Sequence, residues 1–337
     1  YEEIPDRSPT DRERKGLASA EDVELTESAG RLEGADPDAV SDQAVKRGDD
    51  QCGTLGSGNH FAEIQYVQKV LDAEAAEVFG LAEGMVTVMV HSGSRGLGYQ
   101  VCEDYLRMLR NCPARYGIEL PDRQLVCAPF ETPEAQQYLA AMRAAANFAW
   151  ANRQLLAEQI RRSLARFFDS SPEALGVRQV YDVAHNIAKV ETHTVGGRQM
   201  QLCVHRKGAT RAFAAGHPEL PERYRSTGQP VLIPGDMGTA SWVLVGTDKA
   251  MAETFGSTCH GAGRVMSRHE AIRAAQGRRI DKELAAKGIY AKARGRTGLA
   301  EEQPDAYKDI DAVVDCVEAA GLARKVARLV PMAVVKG

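Results

Sequence analysis

Short apolar runs followed by glycine-rich polar loops recur along most of the chain. The run "MVTVMV" leads into "HSGSRGLG" (91–98), and "PVLI" leads into "PGDMGTAS" (234–241). Two more loops, "AHNIAK" (184–189) and "HRKGATRAF" (205–213), follow "VRQVYDV" and "QLCV". Runs of this length and composition predict strands. We therefore predict strands that end in polar loops, where α/β folds place functional residues.

Helical periodicity is confined to a few segments. Thr132 is predicted to cap a long helix that starts with Pro133 and continues through "RQLLAEQIRRSLARFF". Near the C-terminus, "IDAVVDCVEAAG" predicts a helix ended by Gly321. The segment "LARKVARL" predicts another helix that stops before Pro331, and "MAVVKG" predicts a strand or extended tail.

These elements predict one large domain of the α/β (α+β) class over residues 1–337, with mixed strands, functional loops at strand ends and peripheral helices. Residues 1–50 are acidic and predict a lead-in of loops with two short helices. The chain starts with Tyr1 and no apolar leader follows, so we expect it to begin inside a longer protein, without a signal peptide.

Composition excludes several classes of protein. The chain is 44% hydrophobic and 26% charged, and no apolar run approaches the roughly 18 residues of a membrane helix. Its seven cysteines are scattered and include no CxxC pair, which argues against a disulfide framework and a zinc ribbon. A reducing, cytoplasmic location is therefore expected, with no membrane partner.

Four of the eight histidines lie in glycine-lined or strand-end loops: His60, His91, His185 and His260. Neutral imidazoles on backbone that allows close approach are typical of transition-metal sites. His205 is ambiguous, and surface or helix positions are expected for the other three.

The same loops favour anion binding. Their glycines expose backbone N–H groups, although none matches a Walker A or Rossmann motif. Cationic side chains stand nearby at Arg95, Lys207, Arg211, Arg264 and Arg268. Histidines suited to metals and loops suited to phosphates together predict phosphoryl or nucleotidyl transfer.

As a set, the motifs resemble the RtcB family of RNA-splicing ligases. They occur in the family's order over residues 51–337: "GTLGSGNHFAEI", "HSGSRGLG", "DVAHNIAKVE", "HRKGATRA", "PGDMGTASWVL", "STCHGAGR", "AYKDID" and "VVKG". The resemblance implies an RtcB-like catalytic domain that joins RNA 3′-phosphate or 2′,3′-cyclic phosphate ends to 5′-hydroxyl ends, as in tRNA splicing and RNA repair. It also implies GTP and two Mn²⁺ ions as cofactors, cleaved tRNA or other RNA as substrate, and an archease-type activator as a partner.

The resemblance further implies a role for individual residues. His260 would be the nucleophile that forms a histidine–GMP intermediate, and His60, His91 and His185 would be Mn²⁺ ligands. Arg95 and Arg268 would bind RNA phosphates. The nucleotide would be held by Asn59, Phe61, Glu63, Asn186, Lys207, Ser241, Arg264, Tyr307 and Lys336.

One part of the family pattern is expected to be missing. The family carries an Asp-x-x-Cys metal motif upstream of the "GNH" motif, and we expect that region to be absent from this chain. Neither Cys52, which lies within another motif, nor Cys259, beside the predicted nucleophile, is a convincing substitute. A chain without the region is expected to bind Mn²⁺ poorly and to ligate little.

Two other functions stay open at this stage. A metal-dependent phosphoesterase would use the same histidines to activate water. A catalytically impaired RNA-binding fragment would bind RNA in a salt-dependent way without reacting with GTP.

Overall fold

The computed structural model describes residues 16–122 and 125–337; residues 1–15, the start of the acidic lead-in, lie outside the described residues. Its helices are α1 (Ala20–Glu24), α2 (Asp42–Gly48), α3 (Ala73–Phe79), α4 (Arg95–Met108), α5 (Cys112–Arg115), α6 (Pro133–Phe168), α7 (Asp248–Thr254), α8 (Arg268–Ala274), α9 (Ile280–Ala286), α10 (Arg296–Glu301) and α11 (Ile310–Ala319).

The strands form one large sheet and two small ones. The strands are β1 (Phe61–Val70), β2 (Val86–His91), β3 (Asn186–Val195), β4 (Arg198–Lys207), β5 (Ala209–Arg211), β6 (Pro230–Ile233), β7 (Ser241–Gly246), β8 (Ser257–Cys259), β9 (Tyr290–Ala293) and β10 (Ala323–Lys336). The large sheet has the order β2-β1-β10-β7-β6, with antiparallel neighbours, and β9 pairs with β10 in parallel. The mixture of helices and sheets confirms the predicted α/β (α+β) class.

The chain divides into two compact units. Among the described residues, one comprises residues 16–54, 92–122 and 125–179, and the other residues 55–91 and 180–337. The first is the helical unit and contains α6. The Thr132 hydroxyl accepts a hydrogen bond from the Ala135 N–H, and Pro133 is the first helical residue, which confirms the predicted start of α6. None of the helices among the described residues is long and apolar enough to cross a membrane.

The second unit, the sheet unit, is built around β1. Burial alternates along β1, so that Phe61, Glu63, Gln65 and Val67 all face inward. Two of these four inward side chains are polar. A core face that buries a carboxylic acid and an amide needs polar partners, and this face of β1 leads into the site described below.

Two sequence predictions about this unit are wrong. Residues 323–330 form the first half of β10 and not a helix, because β1 and β7 pair with it on either side and Val326 and Leu329 are buried. The backbone before His185 is not a strand apart from a single bridge; β3 begins after this histidine, at Asn186. In β10, tertiary pairing overrides local propensity.

Candidate active site

The four histidines of the glycine-lined and strand-end loops lie together in the sheet unit. The ring centroids are 5.9 Å apart for His60 and His91, 4.9 Å for His91 and His185, and 4.6 Å for His185 and His260. The Nε2 atoms of His91 and His185 are 2.8 Å apart, so one ring donates a hydrogen bond to the other. Segments separated by up to 200 residues in sequence thus converge in one cluster, which we call the histidine cluster.

Strand pairing explains this convergence. His60 precedes β1 directly, and His91 is the last residue of β2, opposite Phe61 in the antiparallel ladder. His185 directly precedes β3. His260 directly follows β8, whose partner β5 begins two residues after β4 ends. Each histidine is therefore held by a strand end.

The environment keeps two of these imidazoles neutral near neutral pH. Burial lowers the pKa of His91 well below 6.5, and the nearby His185, His60 and His260 lower it further. Burial also lowers the pKa of His260, with a contribution from the positive charge of Lys207, although a hydrogen bond to its own backbone opposes the shift. A neutral imidazole has a lone pair available for a metal ion or for nucleophilic attack.

The donor set fits a transition-metal ion, because several imidazoles converge with their charge suppressed. Within residues 16–122 and 125–337, no three His, Cys, Asp or Glu side chains already surround a common point as a complete ligand set. Burial raises the pKa of Cys259 to about 11, so its thiol is protonated at neutral pH. The histidines therefore supply nitrogen ligands but do not by themselves form a complete metal site.

The Asp-x-x-Cys spacing does occur once before the "GNH" motif, at Asp49 and Cys52. Asp49 ends α2, and Cys52 packs against the hydrophobic core of the helical unit. Both residues belong to the unit that does not contain the histidine cluster. That Cys52 does not replace the family's metal-binding cysteine stays a prediction.

A pocket opens beside the histidine cluster, within the sheet unit. It combines seven residues predicted from the sequence with glycine-rich backbone and acidic side chains that were not predicted. It is lined by Asn59, Phe61, Glu63, His91, Pro234, Gly235, Asp236, Met237, His260, Gly261, Ala262, Glu302, Tyr307 and Lys336.

Glu63 and Lys336 form the polar part of one pocket wall. Burial raises the pKa of Glu63 to about 8, and Asp236 adds to this, while a hydrogen bond from Gln65 (2.5 Å) and the charge of Lys336 oppose it. The Lys336 ammonium donates to the Gly58 carbonyl at 3.2 Å, and burial lowers the pKa of this lysine. At pH 7 the Glu63 carboxyl group is thus mostly protonated, and it can ionise when a ligand offers it hydrogen-bond donors.

Tyr307 is fixed by groups on both sides of its hydroxyl. That hydroxyl donates to the buried Glu302 carboxylate and accepts a hydrogen bond from Arg264 Nη1 at 3.0 Å. Arg264 also contacts Glu302 (3.2 Å) and donates to the Glu301 carbonyl (2.7 Å). Burial raises the pKa of Tyr307, and Glu302 raises it further. The phenol is therefore neutral, and Arg264 is occupied in holding the pocket wall.

Other predicted residues lie outside the pocket lining. Ser241 is buried behind it, where its hydroxyl accepts hydrogen bonds from Gln65 and the Gly235 N–H. Asn186 and Lys207 face each other where β3 meets β4. Arg268 is ion-paired with Glu301, and Arg95 belongs to the helical unit, where it donates to Thr54.

Two expectations about charged or polar side chains are wrong. Arg211 is fully buried and bonded to Glu219, Gln229 and Tyr181, so it is not available to an external anion. His193 is buried on β3 and contacts Glu191, instead of lying on the surface or a helix. His269, on α8, is exposed as predicted.

Asp236 and Glu302 are pocket residues that the sequence did not reveal as functional. Asp236 stands inside the recognised motif "PGDMGTASWVL", which was a usable signal. Glu302 has no local signal, since only the fold brings it next to Tyr307.

The family model and the related proteins that match this chain all belong to one family. The family model described as tRNA-splicing ligase RtcB matches residues 6–337. The chain is 57% identical over 322 residues to the tRNA-splicing ligase RtcB of Pyrococcus abyssi, covering 96% of this chain and 35% of that protein. It is 56% identical to the Thermococcus kodakarensis tRNA-splicing ligase RtcB, covering 96% of this chain and 67% of that protein. It is 53% identical to the Mycobacterium bovis RNA-splicing ligase RtcB, covering 96% of this chain and 73% of that protein.

This chain therefore spans about a third of the length of the Pyrococcus relative and about two thirds of the Thermococcus one. The matched part contains the histidine cluster and every residue of the pocket. The chain belongs to the RtcB family.

Proposed function

We propose that this chain carries the nucleotidyl-transfer centre of an RNA ligase that joins RNA 3′-phosphate or 2′,3′-cyclic phosphate ends to 5′-hydroxyl ends and consumes GTP. The observation that supports this most directly is the position of His260. Its imidazole has a lowered pKa and lies both in the histidine cluster and at the wall of the pocket. Family membership supports the same reaction class.

In this proposal His260 is the nucleophile. A ring nitrogen attacks the α-phosphorus of GTP; the N–P bond forms, the bond to the bridging oxygen breaks, and pyrophosphate leaves. Water first hydrolyses a 2′,3′-cyclic phosphate end to a 3′-phosphate. An oxygen of the RNA 3′-phosphate then displaces the imidazole from the guanylate and forms a phosphoanhydride. The 5′-hydroxyl of the second RNA attacks the 3′-phosphorus, loses its proton, and releases GMP.

His60, His91 and His185 would hold Mn²⁺, which would neutralise charge on the phosphate oxygens. Since His91 has a suppressed pKa, it accepts a metal ion without first losing a proton near neutral pH. The described residues hold no finished ligand set, so Mn²⁺ binding would need ligands in addition to these three imidazoles.

The pocket is suited to a guanine base. The Watson–Crick edge of guanine has two kinds of N–H donor next to a carbonyl acceptor. An ionised Glu63 would accept from the donors, and Lys336 would donate to the carbonyl; both side chains are buried, where such bonds are strong. Tyr307, clamped by Glu302 and Arg264, would pack against the nucleotide.

Arg268 lies beside the "GNH" loop: a methyl group on Gly58 would be 2.8 Å from Arg268 Nη2. With its side chain half exposed, Arg268 is placed to bind an RNA phosphate, and we assign Arg95 the same role in the helical unit. We further propose cleaved tRNA or other RNA as substrate, a cytoplasmic location and an archease-type activator.

Incubation of the full-length protein with Mn²⁺ and GTP labelled at the α-phosphate tests the proposal. Wild type should retain an acid-labile, alkali-stable label, as a phosphoramidate does, and His260→Ala should lose it. His269→Ala is the matched control, because this histidine is exposed on α8, and it should be labelled like wild type. Label that survives His260→Ala, or RNA hydrolysis without nucleotide in place of labelling, would refute the assignment in favour of another nucleophile or of a phosphoesterase.

A further inference from the structure

A buried ion pair lies in the β3–β4 hairpin of the sheet unit. Arg206 Nη1 and Nη2 donate to the two carboxylate oxygens of Glu191 at 2.6 and 2.8 Å. Both side chains are almost completely buried, and Glu191 also contacts His193 at 2.9 Å. Burial alone would raise the pKa of Glu191, but Arg206, with smaller contributions from His193 and Lys189, outweighs it and lowers that pKa, so the carboxylate is ionised. A bidentate pair of this kind fixes the plane of the guanidinium.

The fixed guanidinium has donors left for a third element. Arg206 Nε donates to the Ser257 hydroxyl at 2.9 Å, and Nη2 donates to the Phe255 carbonyl at 2.9 Å. Phe255 has a left-handed backbone (φ 52°) where the chain turns from α7 into β8. His260 follows the last residue of β8. The side chain of Arg206 therefore anchors the entry to the strand that presents the predicted nucleophile.

The backbone that follows Arg206 reaches the same histidine from the other side. Lys207 is the last residue of β4, Gly208 connects it to β5, and β5 is the partner of β8. Gly208 has φ +70°, and a methyl group placed on it would be 3.7 Å from His260 Nε2. Arg206 thus links both strands of this small sheet, because its main chain leads into β5 and its side chain bonds to the entry of β8.

The small sheet needs such a link. β5 and β8 have three residues each, and an isolated two-stranded ladder of this length is at best marginally stable in water. Lysine would keep the charge of Arg206, but it lacks the planar fork that reaches Glu191, Ser257 and the Phe255 carbonyl together.

We propose that Arg206, oriented by Glu191, is a positioning residue for His260, holding β8 in register so that the imidazole faces the reacting phosphate. The assignment rests on the proposed function insofar as His260 is the nucleophile. Arg206 does not touch the nucleotide in this proposal. Its loss should therefore slow the attack of His260 and leave GTP affinity unchanged.

The principal test compares Arg206→Lys with Arg161→Lys in the full-length protein. Arg161 makes a similarly bidentate, largely buried pair with Asp22, but in the helical unit. In single-turnover labelling with α-labelled GTP, Arg206→Lys should be roughly 10- to 100-fold slower than wild type, as expected for a displaced reacting group, with GTP Kd changed less than twofold. Arg161→Lys should change neither quantity. Equal labelling rates in the two variants, or a loss confined to GTP affinity, would overturn the proposal.

A second measurement needs no nucleotide. Amide hydrogen exchange over residues 256–260 should become faster in Arg206→Lys and stay as in wild type in Arg161→Lys. If wild type takes no label, the proposed function fails, and this exchange measurement alone decides the positioning role: faster exchange supports it, and unchanged exchange overturns it.

Ser257→Ala is the milder variant to use if Arg206→Lys does not fold. It removes one hydrogen bond from Arg206 and leaves the ion pair with Glu191 intact. Labelling should slow by roughly two- to tenfold, the equivalent of one hydrogen bond, at constant GTP Kd. A labelling rate equal to that of wild type would contradict the anchoring of β8 by Arg206.

Discussion

Glu63 should make nucleotide binding depend on pH. With a pKa of about 8, this carboxyl group is mostly protonated at neutral pH, yet recognition of the guanine N–H donors requires it to be ionised. The binding-competent fraction is then roughly 3% at pH 6.5 and roughly 75% at pH 8.5. Because apparent affinity scales with the competent fraction, GTP should bind about 25-fold more tightly at pH 8.5.

Titration calorimetry of wild type and Glu63→Gln at these two pH values isolates this contribution. Glutamine has nearly the same shape and cannot ionise, so the variant reports every other pH effect, including titration of GTP itself. From pH 6.5 to pH 8.5 the GTP affinity of the wild type should increase by about 25-fold more than that of the variant. The wild type should also release a proton on binding GTP near pH 7. The same pH dependence in both proteins would refute the role of Glu63 as the ionising acceptor.

The same shift has a consequence for stability. The folded protein holds the Glu63 proton up to about pH 8, whereas the unfolded chain releases it near pH 4.5, so folding stability should fall as pH rises between these values. The loss should be on the order of a few kcal/mol and should be absent in Glu63→Gln. Urea denaturation of both proteins at pH 5 and pH 8, without nucleotide, measures it.

Four further changes have defined outcomes. The rate of histidine labelling at saturating GTP and Mn²⁺ should level off at alkaline pH and fall in acid with a midpoint below 6.5, because the pKa of His260 is lowered and protonation removes its lone pair. Tyr307→Phe removes the hydroxyl that bonds to Glu302 and should weaken GTP binding by roughly two- to tenfold in calorimetry. Asn152→Ala removes the amide that holds the 53–54 and 92–93 backbone segments and should lower the free energy of unfolding by about 2–4 kcal/mol in urea titrations. Leu244→Ala, at a core position that is 1% exposed, should lower it by about 2–5 kcal/mol.

The sequence predicted features that depend on local signals. Thr132 and Pro133 mark the start of α6 by capping chemistry that acts within one turn. Glycine-lined or strand-end loops marked the four histidines that the structure brings together. Residues 323–330 failed as a helix prediction because "LARKVARL" spaces its apolar residues compatibly with a helix. This segment forms a strand because it pairs with β1, which lies over 250 residues away in the sequence.

Burial and long-range pairing set the remaining features. Glu302 resembles any surface glutamate in sequence, and its role in the pocket wall follows only from contact with Tyr307 and Arg264. His193 looked like a solvent-facing histidine, but the ion pair between Glu191 and Arg206 gives it a buried polar partner. Such polar groups become informative only when the fold shows what satisfies them.

The ladder between β1 and β2 also limits how the gene can vary in length. Six consecutive pairs, from Phe61 with His91 to Tyr66 with Val86, run without a bulge. Adding or deleting one codon inside residues 61–66 would shift the register on one side of the change and turn Glu63, Gln65 or both outward, because side chains alternate between the faces of a strand. Insertions and deletions among homologous genes should therefore avoid this stretch and accumulate instead in the connection between the two strands, residues 71–85.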